Sequence, residues 1–119
     1  MRQWNLVVVV TSMVLATACS PSSDDTSRSA PISPAAAEGR QVYAANCTAC
    51  HNQDPNQAGA LGPAVAGSSA ELLEAKVLRG EYPSDYLPKR ESHAMVPLPH
   101  LAKEIPALAA YLASVSKGS

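Results

Sequence analysis

Hydrophobic side chains fall into an apolar run near the N-terminus and, much later, a helical repeat near the C-terminus. The first run extends from Leu6 to Leu15, and no charged residue occurs between Arg2 and Asp24. The C-terminal apolar side chains recur at the spacing of one helix face. They are Leu101, Ile105, Leu108, Leu112 and Val115. No segment shows the sustained alternation typical of a strand, so the pattern predicts an all-α domain of three or four short helices.

Two further helices are predicted between these runs. One leads into a cysteine motif, and Gly39, Val42, Tyr43 and Asn46 fall on one of its faces. The other opens at the capping box of residues 68–71, Ser-Ser-Ala-Glu, and ends at Gly80, a natural C-cap. Its inward positions are Leu72, Leu73 and Val77.

Residues 1–18 have a positive start, a short apolar core and small residues at the end, which is typical of a secretory signal. The apolar core of roughly a dozen residues is too short to span a bilayer comfortably. The last residues, Leu15-Ala16-Thr17-Ala18-Cys19, resemble a bacterial lipobox, in which the cysteine is lipidated on its thiol. The resemblance predicts a lipid anchor on Cys19. An ordinary signal with a chance cysteine and an uncleaved anchor are the alternatives. By similarity to known lipoprotein sorting, Ser20 favours the outer membrane.

The stretch after Cys19 is rich in Ser and Pro and carries an Asp24-Asp25 pair. Such a composition buries too little apolar surface to offset the entropy of ordering the chain. We expect residues 19–37 to form a flexible tether and residues 38–119 to form a folded domain held near a membrane.

The folded domain lacks the largest hydrophobic side chains. The chain has no Phe, and its single Trp, Trp4, lies in the predicted signal. A domain of this size buries only about 60% of its unfolded surface, and small scaffolds usually carry a disulfide, a metal or a bound group. This composition favours a large apolar cofactor. The net charge of −1 excludes a strongly basic nucleic-acid binder and indicates partners that dock through a local patch.

Residues 47–51, Cys-Thr-Ala-Cys-His, form a C-x-x-C-H motif, the attachment signature of c-type haem. In this interpretation Cys47 and Cys50 form thioethers with two vinyl groups, and His51 binds the iron. A thioredoxin-like dithiol would need a βαβ pattern, which is not visible. A zinc site would need a second ligand pair at the usual spacing, and a structural disulfide would leave His51 without a role. The motif therefore predicts one covalently bound haem c.

The second iron ligand has to come from another part of the chain. Met95 is the only methionine outside the predicted signal, and it lies in a proline-rich loop before the last helix. A lone Met is usually core filling, but this domain must cover a haem face. His93 and His100 are rivals, since imidazole also binds haem iron, and an open site is a further alternative. We predict His51 and Met95 as the axial ligands.

From about residue 38 to residue 117, the chain resembles a small class I monohaem cytochrome c. Besides the C-x-x-C-H motif, the matching positions are Gly39, Tyr43, Leu61, Gly62, Pro63, Ile105, Leu108, Tyr111 and Leu112. The resemblance implies that the Pro63 carbonyl accepts a hydrogen bond from Nδ1–H of His51, which fixes the ligand ring and tunes the metal. It also implies that the aromatic residue of the last helix crosses against the first helix.

Two features depart from this family pattern. Pro106 stands where an ordinary helix former is usual, and because Pro is tolerated only in a first turn, we expect the last helix to start near Lys103. The familiar Trp or Phe beside the haem is missing, and Tyr82 or Tyr86 is expected to replace it.

The predicted axial ligands decide the expected function. Iron bound by both His51 and Met95 has no open position for a substrate, and a thioether ligand raises its reduction potential. We therefore expect a membrane-tethered periplasmic electron carrier, free or as the cytochrome subunit of an oxidoreductase, with a protein electron donor and a protein acceptor. The alternative is a haem-based sensor or a peroxidase-like protein in which Met95 leaves the iron or never binds it.

Overall fold

The computed structural model describes residues 31–117, so the predictions for the signal, for Cys19 and for most of the tether lie outside the described residues. The helical elements, in chain order, are α1 (Pro34–Asn46), α2 (Ala70–Leu73), a π-helical turn (Glu74–Arg79), a 3-10 turn (Pro99–Leu101) and α3 (Ile105–Ser114). The described residues contain no strand, and the predicted all-α fold is confirmed. No helix within this part of the chain has the length and apolar character needed to cross a membrane.

Helix α1 begins earlier than the composition predicts. The Ser33 Oγ accepts a hydrogen bond from the Ala36 N–H at 3.2 Å, which is an N-cap arrangement. Pro34 occupies the first turn, where its missing N–H leaves no helical bond unmade. Ala36 is only 1% exposed. The prediction of a flexible tether is therefore wrong for residues 34–37, because Ser and Pro here start a helix.

Helices α1 and α3 cross in close contact at the centre of the domain. A Cβ on Gly39 would overlap the Ala107 carbonyl, so only glycine allows this approach of the two backbones. The rings of Tyr43 and Tyr111 lie 5.6 Å apart at an angle of 53°, a tilted arrangement favourable for aromatic pairs. This contact is the helix crossing that the family resemblance implies. The most deeply buried large side chains are Ile105, Leu108 and Leu112.

The second helix is capped one residue later than predicted. The N-cap is Ser69, whose Oγ accepts a hydrogen bond from the Leu72 N–H at 3.2 Å. The Ser68 hydroxyl instead donates to the Val65 carbonyl at 2.7 Å, so the predicted capping box does not form. The helix ends at Gly80 as predicted, since the φ of 74° at this residue lies in the left-handed region that favours glycine.

Helix α3 starts at Ile105 and not near Lys103. Pro106 lies in its first turn, the only part of a helix where proline is well tolerated. Leu101 lies in the preceding 3-10 turn, although it is buried at 6% exposure. The apolar repeat therefore predicts burial correctly, but its first member does not belong to the helix.

Candidate functional site

A solvent-open cleft of about 990 Å³ lies beside the C-x-x-C-H motif. Cys47, Cys50 and His51 line this cleft, and they also line a second cleft of about 610 Å³. The apolar walls of the larger cleft include Leu61, Val65, Leu72, Leu73, Val77 and Leu108. Of the predicted inward residues of the second helix, two are buried and Leu72 is half-buried. The apolar character of this space suits a large bound group.

The end of α1 places the motif against this space. The Cys47 N–H donates to the Tyr43 carbonyl at 2.9 Å and so caps the helix. The N–H groups of Cys50 and His51 both donate to the Cys47 carbonyl, at 3.2 and 2.9 Å. This tight turn brings both thiols and the imidazole to one wall. Both cysteines are free, and burial raises the pKa of the Cys47 thiol to about 11, so this thiol is neutral at physiological pH.

The ring of His51 is held in a fixed orientation. Its Nδ1 lies 2.9 Å from the Pro63 carbonyl, as the family resemblance implies. Because a carbonyl can only accept, Nδ1 carries the proton and Nε2 keeps its lone pair for a metal. A Cβ on Gly62 would overlap the ring, which gives a physical reason for glycine at this position.

Residues 59–64, which we call the histidine loop, are fastened to the motif through the backbone. The N–H groups of Leu61 and Gly62 donate to the Cys50 carbonyl at 3.2 and 3.0 Å. The Gly59 N–H donates to the Gly62 carbonyl at 2.9 Å, and a Cβ on Gly59 would overlap the Cys50 carbonyl. The loop therefore approaches the motif as closely as two backbones allow.

Tyr43 ties α1 to the chain that follows the motif. Its hydroxyl donates to the Asn52 carbonyl at 2.6 Å. Burial, with a smaller effect of nearby acidic groups, raises the pKa of Tyr43 to about 12, so the hydroxyl remains a proton donor at physiological pH. The sequence places Tyr43 on the buried helix face but gives no signal for this bond, because the acceptor is a backbone carbonyl beyond the motif.

Met95 reaches the same apolar space from a separate segment. It lines both clefts together with His51, and it packs half-buried against the core. It belongs to residues 82–97, which we call the methionine loop. His93 and His100 are exposed and line neither cleft. Of the three candidate ligands, only Met95 is brought to the space beside His51.

Both candidate aromatic residues, Tyr82 and Tyr86, line the larger cleft. Their rings stack with centroids 5.5 Å apart and an interplanar angle of 10°. The Lys76 Nζ lies 4.1 Å from the Tyr82 centroid, within the range of a cation–π contact. The sequence leaves open which tyrosine faces the site; the fold brings both there as one stacked pair.

The charges around the larger cleft are of one sign. No acidic residue lines it within the described part of the chain, whereas three basic residues do, namely Lys76, Lys89 and Arg90. Apolar walls with basic residues among them complement a large apolar group that carries carboxylates. Haem c has this character, and the two thiols and the imidazole supply its attachment and one iron ligand. The residues present therefore fit a covalently bound haem.

The comparison with protein families gives a match to the family model described as Cytochrome c, over residues 36–116. The matched range covers most of the chain and includes the C-x-x-C-H motif, the histidine loop and Met95. The comparisons with curated proteins and with solved structures each gave no match.

Proposed function

Because the chain belongs to the cytochrome c family, we propose that it is a single-haem electron carrier whose iron is bound axially by His51 and Met95. Family membership establishes covalently bound haem c and haem-based electron transfer. The observation that carries the finer proposal is the position of Met95, which lines the same apolar space as His51. The two rival histidines do not.

Haem c supplies reversible one-electron chemistry at its iron. Cys47 and Cys50 hold the group through thioethers, and His51 offers Nε2 to the iron. The Pro63 carbonyl accepts the hydrogen bond from Nδ1–H, which fixes the tautomer and makes the imidazole a stronger ligand. The apolar walls limit water around the site and so help to set the reduction potential.

Met95 completes the coordination in this proposal. A thioether ligand favours ferrous iron and therefore raises the reduction potential. With His51 and Met95 both bound, the iron would offer no position to a substrate, which favours electron transfer over catalysis. Members of the family are generally electron carriers. We propose the same role for this chain, either free or as the non-catalytic subunit of an oxidoreductase.

The test is absorption spectroscopy and anaerobic potentiometry of the full-length holoprotein. We expect a low-spin ferric spectrum with the band at the red end that is characteristic of methionine sulfur ligation. We also expect a one-electron titration and no ready binding of carbon monoxide to the ferrous form. A high-spin ferric spectrum at neutral pH with ready carbon monoxide binding would contradict the carrier proposal and favour a haem sensor or a peroxidase-like protein.

We further propose that the carrier works on the periplasmic side of a bacterial membrane, tethered through lipidated Cys19. Cytochrome c domains are typically extracytoplasmic. The small residues that precede Cys19 and the Ser/Pro-rich segment that follows it support a lipid anchor with a spacer. Ser20 favours the outer membrane. The partners in this proposal are one protein that donates electrons and one that accepts them.

Metabolic labelling tests the anchor. In a bacterium supplied with labelled fatty acid, the wild-type protein should carry the label and Cys19→Ser should not. Ser20→Ala is the matched control and should be labelled like the wild type. Label on the Cys19→Ser variant, or on none of the three proteins, would contradict the lipid anchor.

A further inference from the structure

Two basic side chains of the methionine loop reach the histidine loop. The Lys89 Nζ donates to the Ala64 carbonyl at 2.9 Å. The Arg90 Nη1 donates to the Leu61 carbonyl at 3.1 Å. Both basic residues line the larger cleft, and the bonds join two segments that are far apart in sequence.

The two carbonyl acceptors lie on either side of Pro63 in the chain. The Pro63 carbonyl is the group that lies 2.9 Å from Nδ1 of His51. Each contact therefore acts on a peptide close to the one that orients the imidazole. A displacement of the methionine loop is coupled in this way to the histidine side of the cleft.

These two contacts are also the long-range hydrogen bonds that the described residues of the methionine loop make. Among the described residues, every other hydrogen bond within residues 82–97 joins groups no more than three residues apart. The next long-range bond is that of the Leu98 N–H, which donates to the Val77 carbonyl at 2.6 Å. Met95 lies between the bonded pair at residues 89–90 and this backbone bond.

We propose that Lys89 and Arg90 form a strap that holds the methionine loop against the histidine loop and thereby keeps Met95 on the iron. The two residues are positioning residues, and the inference rests on the proposed ligation by Met95. Both side chains are exposed, and exposed contacts of charged groups are individually weak. The strap therefore opens more readily than the backbone contacts of the histidine loop, and it makes Met95 the exchangeable ligand.

Imidazole titration of the ferric full-length holoprotein measures this opening, because added imidazole binds the iron only after Met95 has left. The double variant Lys89→Leu/Arg90→Leu keeps an apolar side chain at both positions, removes both donors and adds no thioether that could bind the iron. We expect it to bind imidazole about tenfold more tightly than the wild type, because two exposed contacts of charged groups are each worth little.

Two control variants separate the strap from simple charge. Lys89→Arg/Arg90→Lys keeps both donors and both charges and should bind imidazole like the wild type. Arg79→Leu/Lys103→Leu removes the same charge from exposed positions that line neither cleft, and it should also behave like the wild type. Equal tightening in this charge-matched control would overturn the strap.

A second readout does not depend on Met95. The strap predicts faster exchange of the His51 Nδ1–H with solvent in ferrous Lys89→Leu/Arg90→Leu, measured by NMR. If Met95→Ala has the same spectrum as the wild type, the ligand proposal fails. If the double variant at residues 89 and 90 exchanges its His51 ring proton at the wild-type rate, the strap is overturned independently of the ligand. A third result would also overturn it: an altered pH dependence of the reduction potential with unchanged imidazole affinity and exchange. The two cations would then serve the haem carboxylates.

Discussion

The two sides of the larger cleft are built from different kinds of contact. The C-x-x-C-H motif and the histidine loop form the histidine side, and the methionine loop forms the methionine side. On the histidine side, backbone hydrogen bonds fasten the histidine loop to Cys50, and the Pro63 carbonyl holds the ring of His51. On the methionine side, residues 82–97 contain no helix. Their long-range hydrogen bonds to other described residues come from two exposed cations.

This difference assigns separate tasks to the two sides. Short backbone contacts around a covalent attachment leave His51 few alternative positions. A ligand carried by a long irregular segment is held by fewer and more exposed bonds, and such segments open with the smallest free energies. In the proposed ligation, the histidine side would fix the cofactor, and the methionine side would determine whether the iron is fully coordinated.

The largest expected effect follows from removing the attachment on the histidine side. Cys47→Ala with Cys50→Ala should leave no covalent haem on a denaturing gel. The domain should then lose cooperative thermal unfolding, because haem supplies much of the apolar surface that a domain without Phe cannot bury. Cys19→Ser should retain both properties. A stable, cooperatively unfolding double variant would show that the core does not depend on the cofactor.

A smaller effect is expected from crowding the His51 ring. Gly62→Ala places a Cβ where the ring lies and should lower the unfolding free energy of the holoprotein by about 2–3 kcal/mol, the usual size of an overpacking penalty. It should also shift the reduction potential, because the ring must turn away from Pro63. Gly67→Ala, at a φ of 74° where the added Cβ would lie against the Ser116 side chain and not against His51, should cost about 1 kcal/mol and leave the potential unchanged. Denaturant unfolding measures the two stability changes, and potentiometry measures the two reduction potentials. A shifted reduction potential in both variants would argue against a specific role of Gly62.

Native-state hydrogen exchange compares the two sides without a substitution. The amides of Leu61 and Gly62 donate to a backbone carbonyl and should exchange at least about tenfold more slowly than the unbonded amides of the methionine loop. The Leu98 amide, which is bonded to Val77, should be protected like the first pair. If the amides of residues 82–97 were as strongly protected as those of Leu61 and Gly62, the contrast between the two sides would disappear.

The smallest expected effect concerns Asp54, in the chain that follows His51. Hydrogen bonds from the Asn56 side chain and backbone, then from Gln57, lower the pKa of Asp54 from 3.8 to about 2. Because the folded-state pKa is the lower one, the ionised form stabilises the fold above about pH 4, and this contribution is lost as the pH falls towards 2. Asp54→Ala should therefore lower the Tm at pH 7 and approach the wild type only below pH 2. Asp85→Ala is the exposed control, and a constant Tm difference for Asp54→Ala across this range would contradict the assignment.

The sequence predicts those parts of the site that depend on residues close together in the chain. Cys47, Cys50 and His51 occupy adjacent positions of one motif, so their chemistry does not depend on the rest of the fold. Gly39 and Pro63 are found through the family resemblance; a Cβ on Gly39 would overlap the Ala107 carbonyl, and the Pro63 carbonyl lies 2.9 Å from Nδ1 of His51. The apolar repeat correctly predicts that Leu101 is buried, although Leu101 lies in the 3-10 turn before α3. Periodicity reports the buried positions more reliably than the boundaries of the helix.

Other features depend on competition between neighbouring residues or on contacts between residues far apart in the chain. Sequence patterns predict both of these poorly. Ser33 and Pro34 form a helix start, yet the same residue types are typical of disorder, and only the burial of Ala36 decides between the two. Ser68 and Ser69 compete for one cap. The bonds from Lys89 and Arg90 end on backbone carbonyls far away in the chain, and a carbonyl has no residue type that would identify it.

The ferric absorption spectrum of Met95→Ala, measured beside that of the wild type, tests ligation by Met95 most directly. With His51 and both thioethers retained, haem should stay attached, but the iron should become high-spin or water-bound. The sulfur band should disappear, the potential should fall, and the ferrous form should bind carbon monoxide readily. Met95→His should stay low-spin at a lower potential, since imidazole stabilises ferric iron better than a thioether does. His93→Ala and His100→Ala should match the wild type. An unchanged spectrum in Met95→Ala, together with an open site in His93→Ala, would contradict the ligand assignment and the high-potential carrier with it.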